Sequence, residues 1–402
     1  MRSTLLLALS GLALVGNAQL GPAVTSWSLN LNNQTGYNNL PSNVQQVQYS
    51  TNNVYVSCSC IPGYAIGPWN GNPNVASNQN FVYKITRNPV PNTGTLTAVG
   101  LGHTGVWTNG VSIFNVSDGM SYNNAGVWNR NAYFWEGSSF DNCLGHPQQS
   151  GEYHHHVSPK CLYDYTNTAV HSPIIGYAFD GYPVYGAFAF TFTNGTGPIK
   201  RMQSSYSTTT TTTRTNGPAV SGTYPVGCFM EDYVYTAGSG DLDAMNGRWC
   251  VTPEYPNGTY AYFATLDASL TPQFPYTMYK TYYGTVQSGN TGPGGGHVTI
   301  SESVTTYSPS MTGVKEQQKE NMTYMLFPNP AQNFIHLFIN PIAQNDFEVS
   351  IADITGKIVY SEKYIQPTIM YSFDLTKLSK GVYFLSIRNE KISKTEKILV
   401  NH

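Results

Sequence analysis

Charge is scarce in this sequence. Lys, Arg, Asp and Glu make up 10% of its 402 residues, and the formal net charge is -2. With no basic excess there is no field to draw in nucleic acid, and no polybasic run to hold anionic lipid. Long apolar runs are missing too. Beyond the amino-terminal leader, no segment reaches the roughly 18 consecutive apolar residues of a membrane-spanning helix. Between residues 20 and 300 there is no sustained 3.6-residue periodicity, which argues against bundles and coiled coils. No repeat of fixed period appears, so solenoids and propellers have no support. Gly-x-Ser-x-Gly, phosphate-binding glycine loops and dinucleotide fingerprints are absent, and the chemistries they serve go with them.

What remains is rich in Tyr (30), Gly (38) and Pro (24). Tyr and Thr favour strands, and Gly, Asn and Pro punctuate them. Strand-like pieces such as "NVYVSC", "NFVYKITR", "GVSIFNV", "IIGYAFDG", "PVYGAFAFTF" and "TYAYFATL" recur between turn residues. The pattern predicts a mainly β protein: a large, irregular β-rich domain with long loops and little helix over residues 19–300. The run "STTTTTTRT" from Ser207 is of low complexity and is expected in an exposed loop.

The start, "MRSTLLLALSGLALVGNAQ", reads as a signal peptide over residues 1–18. Arg2 supplies the positive end, Leu5 to Val15 the apolar core, and Gly16-Asn17-Ala18 a small-residue cleavage site. The apolar run is too short to anchor the chain in a bilayer. An exported chain with six cysteines is expected to form disulfides. The local pairs Cys143–Cys161 and Cys228–Cys250 are expected, whereas Cys58 and Cys60 lie too close in sequence for an easy mutual bridge.

Ten Lys and Arg residues precede position 315 and ten follow from there, in a much shorter segment. Residues 301–322 mark the change and read as a linker, although "HVTISESVTTY" is able to complete a last strand first. From 323 to 402 short strands with turn residues between them suggest a small Ig-like β-sandwich. "LFPNPAQNFIHL", "ADITGKIVYSEK", "LSKGVYFLSI" and the final "KILV" carry Pro328-Asn329-Pro330, Asp353, Gly356, Leu378, Gly381-Val382-Tyr383 and Lys397 in order. This tail resembles the C-terminal sorting domain of type IX secretion substrates of Bacteroidetes. The resemblance implies export through the periplasm and across the outer membrane, with the type IX machinery as partner. The protein is then expected to be secreted or held at the outer-membrane surface, and the tail to carry no catalysis.

In the main domain, "NGVSIFN", "DNCLGHPQQSGEYHHHVSPKCLY", "SPIIGYAFDGYPVYGAF", "MEDYVY", "GDLDAMNGR" and "TPEYPNGTYAYF" follow one another. Together they resemble the YHYH domain family, named for a Tyr-His-Tyr-His motif. Here the motif reads Tyr153-His154-His155-His156, with His155 in place of the second Tyr. The resemblance implies a domain but no particular activity, so the chemistry rests on the residues.

On a strand, side chains alternate. Tyr153 and His155 then point one way, and His154 and His156 the other. Two imidazoles one residue apart on one face are able to share a metal ion. His146, eight residues before His154 across a Pro- and Gly-containing turn, is the expected third ligand. Three imidazoles suit zinc or copper. A structural polar network and metal-free acid–base catalysis are the competing readings of the same residues. Cys143 and Cys161 bracket the segment, as a disulfide clamp or as thiolate ligands, and export favours the disulfide.

Other signals are weaker. Asp180 sits in an Asp-Gly hairpin turn and is a candidate for the site. Glu231, Asp232, Asp241, Asp243 and Asn246 lie close in sequence and offer oxygen ligands for calcium, with Asp241 and Asp243 foremost, but without the EF-hand pattern. Arg248 is a partner for these carboxylates, and Glu254 a candidate acid or base. Trp69, Trp107 and Trp128 are able either to stack on sugars or to fill a β core. These residues fit three functions. One is a metal-binding surface protein. Another is an adhesin or carbohydrate-binding module with structural histidines. The third is a metal-dependent extracellular hydrolase or oxidoreductase.

Overall fold

The computed structural model describes residues 20–292, 294–309, 323–340, 347–364, 370–388 and 393–401. The expected signal peptide lies outside the described residues, as does most of the expected linker. The chain divides into two compact units, one up to Ser308 and one from Pro309. Both are built of strands, as the alternating patterns predict.

In the first unit an eight-stranded mixed sheet runs Gly247–Cys250, Thr259–Phe263, Pro183–Tyr185, Ile174–Ala178, His103–Trp107, Ser112–Phe114, Tyr153–His155 and His146–Pro147. The strands 103–107, 174–178 and 259–263 are buried at every position. Their near-continuous apolar and aromatic runs, with no alternation, belong to a sheet covered on both faces. A four-stranded sheet supplies part of the cover, in the order Thr305–Thr306, Val44–Tyr49, Asn53–Cys58 and Phe81–Thr86. Val54, Val56, Tyr83 and Ile85 from the smaller sheet share one core with Val106, Trp107, Tyr177 and Phe263 from the larger. Close approach is enforced at Gly110, where a Cβ would stand 2.4 Å from the Cβ of Cys58. The strand at Thr305–Thr306 falls within the segment read as a linker, pairing with Gln48 and Tyr49.

The histidine segment forms one edge of the large sheet. His146–Pro147 is the outermost strand and pairs antiparallel with Tyr153–His155, with His146 opposite His154 and Pro147 opposite Tyr153. Proline suits this position because an edge strand does not need every N–H. The connecting turn closes through Gln148 N–H to Glu152 O at 3.0 Å and Gly151 N–H to Gln148 O at 2.8 Å. Gly151 has φ +83°, and a Cβ there would meet Ser77 Oγ at 2.2 Å. Only glycine fits this turn.

The second unit holds two sheets. One contains Thr323–Phe327, Phe334–Asn340 and Met370–Asp374; the other contains Ile358–Tyr364, Phe347–Asp353, Gly381–Arg388 and Ser393–Val400. Ile335, Leu337 and Phe373 from the first pack with Val349, Ile351, Leu385 and Ile387 from the second. The alternation of "FEVSIAD" is realised, with Phe347, Val349 and Ile351 buried. This is a two-sheet β-sandwich.

Asp180 forms the turn between Ile174–Ala178 and Pro183–Tyr185, ahead of Gly181 at φ +91°. Its carboxylate is fully buried and accepts from Tyr262 OH at 2.6 Å, Gly284 N–H at 2.8 Å and Tyr182 N–H at 3.2 Å. It ties the turn to the next strand and to the 284 loop. Burial pushes its carboxyl from 3.8 up to about 6, against these hydrogen bonds. Between those values the folded chain holds a proton that the unfolded chain has released, so stability falls as pH rises through the window. The stability difference between wild type and Asp180→Asn should therefore shrink by about 3 kcal/mol between about pH 4 and pH 7. Urea unfolding across that range checks this, and a flat difference contradicts it.

Candidate metal centre

The strand assumption holds where it matters: Tyr153–His155 is a strand, and its side chains divide between two faces. His155 packs inward against Tyr153, ring centroids 5.1 Å apart, and Trp107 at 6.4 Å. His154 and His156 face the other way and meet His146 from the edge strand. Candidate ligand atoms of these three all lie within 4.8 Å of one another, the one such group of three or more among the described residues. His154 Nε2 is 3.1 Å from His146 Nε2 and 3.1 Å from His156 Nε2.

The outer nitrogens fix which atoms carry protons. His154 Nδ1 lies 3.2 Å from the Glu152 carbonyl oxygen, and His156 Nδ1 makes a short contact to the Asn115 carbonyl oxygen. A carbonyl only accepts, so both Nδ1 atoms donate. Ser139 Oγ donates to Glu136 O at 2.7 Å, and therefore accepts from His146 Nδ1 at 2.8 Å. Each neutral ring thus turns an Nε2 lone pair inward. Three acceptors converge where no donor stands between them. Burial, reinforced by the mutual repulsion of charged rings, pushes His146 down to about 4 and His154 well below its ordinary value. His146 and His154 are therefore neutral at physiological pH, the state that metal ligation requires.

A fourth donor completes the group. Glu136 Oε2 is 3.2 Å from His156 Nε2 and 3.7 Å from His146 Nε2, and has no hydrogen-bond partner of its own. A short helical turn, Ala132–Trp135, delivers it. Asn131 caps that turn through its side chain, accepting from Tyr133 N–H, and Glu136 is the residue that ends it. Phe114 stacks on His154 at 3.9 Å, and Phe140 lies 4.7 Å from His146, so the cluster has apolar walls.

The cysteines that bracket the segment form the expected bridge, Cys143–Cys161, and so are not ligands. The second expected bridge does not form. Cys228 and Cys250 are both buried and free. Cys250 ends a strand of the large sheet, and Cys228 sits 3.9 Å from the Arg214 guanidinium in a separate loop. Cys58 and Cys60 are also free.

Behind the histidines lies a buried network the sequence did not announce. Glu152 Oε1 is paired with His103 Nε2 and accepts from Ser112 Oγ, which also contacts Tyr83 OH at 2.8 Å. Glu152 Oε2 accepts from Gln148 Nε2 at 2.7 Å. The network braces both ends of the turn between the two histidine strands.

None of the other candidates joins the histidine group among the described residues, and each makes bonds of its own. Asp180 is committed to its turn. Asp241 accepts from Lys200 Nζ at 2.6 Å and Gln203 N–H at 3.0 Å. Asp243 accepts from Tyr260 OH at 2.9 Å and Met245 N–H at 2.9 Å. Asp232 takes a two-pronged grip from Arg214, at 2.8 Å each, and Glu231 binds Asn129. Asn246 serves the Phe263 and Thr277 carbonyls, so this segment gathers no calcium cage. Arg248 bonds the Phe190 carbonyl, and Glu254 accepts from Tyr185 OH at 2.8 Å. Trp107 is fully buried, Trp69 Nε1 donates to Asp141 and Trp128 Nε1 to Thr215 O.

The disulfide closes the loop that carries all three histidines, with 18 residues of separation. A loop of this length gains about 3 kcal/mol from its bridge. Replacing both cysteines by Ala should lower the unfolding free energy by about that much. Chemical denaturation measures it, and an unchanged midpoint would show that the turn is held without the clamp.

Residues 82–276 match the family model described as YHYH protein, and residues 325–401 match that of the secretion system C-terminal sorting domain. No curated protein matches the chain. The first match spans the whole histidine site, and the second spans most of the β-sandwich unit. The sorting domain implies handling by the type IX machinery and export to the cell surface or the extracellular space. No helix among the described residues is long and apolar enough to cross a membrane. The chain thus carries a YHYH domain over residues 82–276 and a type IX secretion C-terminal sorting domain over residues 325–401.

Proposed function

We propose that this exported protein binds a divalent transition metal, zinc or copper, through His146, His154, His156 and Glu136. One observation carries the reading: three Nε2 lone pairs converge on one point, and their Nδ1 partners prevent any of them from donating. A cation is what such a point lacks. Zinc–nitrogen bonds of about 2.0–2.1 Å place tetrahedral ligand atoms about 3.3 Å apart. The 3.1 Å separations of His154 Nε2 from the other two rings, and the carboxylate oxygen at 3.2 Å from His156 and 3.7 Å from His146, lie near that spacing. Imidazole with carboxylate, and no thiolate, suits zinc(II) or copper(II) better than copper(I). The carbonyl and serine partners fix ring orientation in the way that supporting residues do around metal sites.

A metal-dependent extracellular hydrolase is the second reading, favoured by the 31% exposure of the Glu136 side chain. A carboxylate that reaches solvent beside three buried imidazoles is placed to accept a proton from a water molecule at the site. His155 has no part in either reading. Its ring fills the apolar side of the strand, which explains how His stands where the family name has Tyr.

Untagged protein grown with zinc and copper should contain about one metal ion per chain, and the His154→Ala/His156→Ala protein should contain essentially none. Elemental analysis decides it: near-zero metal in wild type, or equal metal in both, rejects the reading. Glu136→Gln should retain the fold and weaken metal affinity by about tenfold or more, read by chelator competition. Undiminished affinity would remove Glu136 from the ligand set.

A further inference from the structure

A second feature of the first unit stands on its own observations and does not rest on the metal reading. Beside the Glu136 turn opens a cleft of about 680 Å³, within the usual range for small-ligand sites. Aromatic rings form much of its wall, among them Tyr133, Phe134, Phe274 and Tyr276. Phe134 is 45% exposed, an unusual position for a phenylalanine in a sparsely charged domain. Asn131, Asp267 and Gln273 place polar groups between the rings.

Two features of this lining narrow the ligand. No lysine, arginine or histidine is among the lining residues, and Asp267 contributes a carboxylate. An anionic ligand would find repulsion and no compensating charge. The buried end of the Gln273 side-chain amide has no hydrogen-bond partner among the described residues. Asp267 already accepts the Ser269 and Thr271 N–H groups through one oxygen, which fixes its orientation. Exposed ring surface at Phe134, with a carboxylate at Asp267 and an amide at Gln273 beside it and no cationic side chain, matches a molecule with C–H faces and a hydroxyl rim.

We propose that this cleft is a binding site for a neutral carbohydrate. A pyranose ring lays its C–H face on Phe134 and Tyr133. Its hydroxyls bond to Gln273 and Asp267. Gly137 and Ser138, which follow Glu136 directly in the chain, form part of the same wall. A bound sugar therefore lies against the segment that carries the carboxylate of the histidine cluster.

The test uses the full exported chain and four uncharged probes, cellotetraose, maltotetraose, mannotetraose and galactotetraose, titrated by calorimetry with and without chelator. At least one should bind, equally in both conditions. Phe134→Ala should weaken that binding by about tenfold, and Gln273→Ala should weaken it as well. Metal content and circular dichroism of both variants should match wild type, which separates loss of the cleft from loss of the fold. Absence of binding to all four probes overturns the proposal. So does binding that both variants retain, or preferential binding of an oligogalacturonate or of a peptide library. Chelator-insensitive sugar binding alongside a metal-free wild type would support the cleft while rejecting the metal reading.

Discussion

The imidazoles of His146, His154 and His156 are held by their Nδ1 atoms, and this constraint determines what the cluster is able to do. Two carbonyls and one committed serine hydroxyl take the outer protons, so every inner nitrogen is an acceptor. The geometry behind it comes from sheet pairing. His146 faces His154 across two antiparallel strands, and His156 follows two residues on, on the same face. The turn between the strands closes only with glycine at 151, the Cys143–Cys161 bridge ties down the segment, and the Glu152–His103 pair braces it from behind. Low charge density fits this design. The domain is held by stacked tyrosines and hydrogen-bonded turns, and buried carboxylates such as Asp180, Asp232 and Glu152 are individually partnered.

Part of this was legible in the sequence because strands have a period of two. Alternation alone separates His155 from His154 and His156, and a Pro- and Gly-containing turn brings His146 back to them. The tail was legible for the same reason, its short alternating strands giving a two-sheet sandwich. The Cys143–Cys161 bridge followed from proximity along the chain. Cys228–Cys250 followed from the same rule and failed, because one cysteine ends a sheet strand while the other lies under Arg214.

Glu136 was not legible. It lies ten residues before His146 at the end of a single helical turn, in "AYFWEGSS", where no spacing connects it to the histidines. Only the tertiary placement of that turn, capped by Asn131, brings its carboxylate to them. His103 and Glu152 were missed for a related reason, since they meet across the sheet from distant segments. Asp241 and Asp243 misled in the opposite direction. Alternating acidic residues look like a cation loop, but here each carboxylate is already taken, by Lys200 and Gln203 or by Tyr260 and Met245. A string of carboxylates shows that acceptors are near one another, and not that they point at one place.

The convergence of the three Nε2 atoms is tested most directly by anomalous diffraction at the zinc and copper edges. Crystals of untagged protein prepared in metal-replete medium are the right sample. One strong peak is expected among His146, His154 and His156, with all three bonded through Nε2 and Glu136 as an oxygen ligand. A metal-free site with the rings unchanged, or a metal bound through Nδ1, would contradict it.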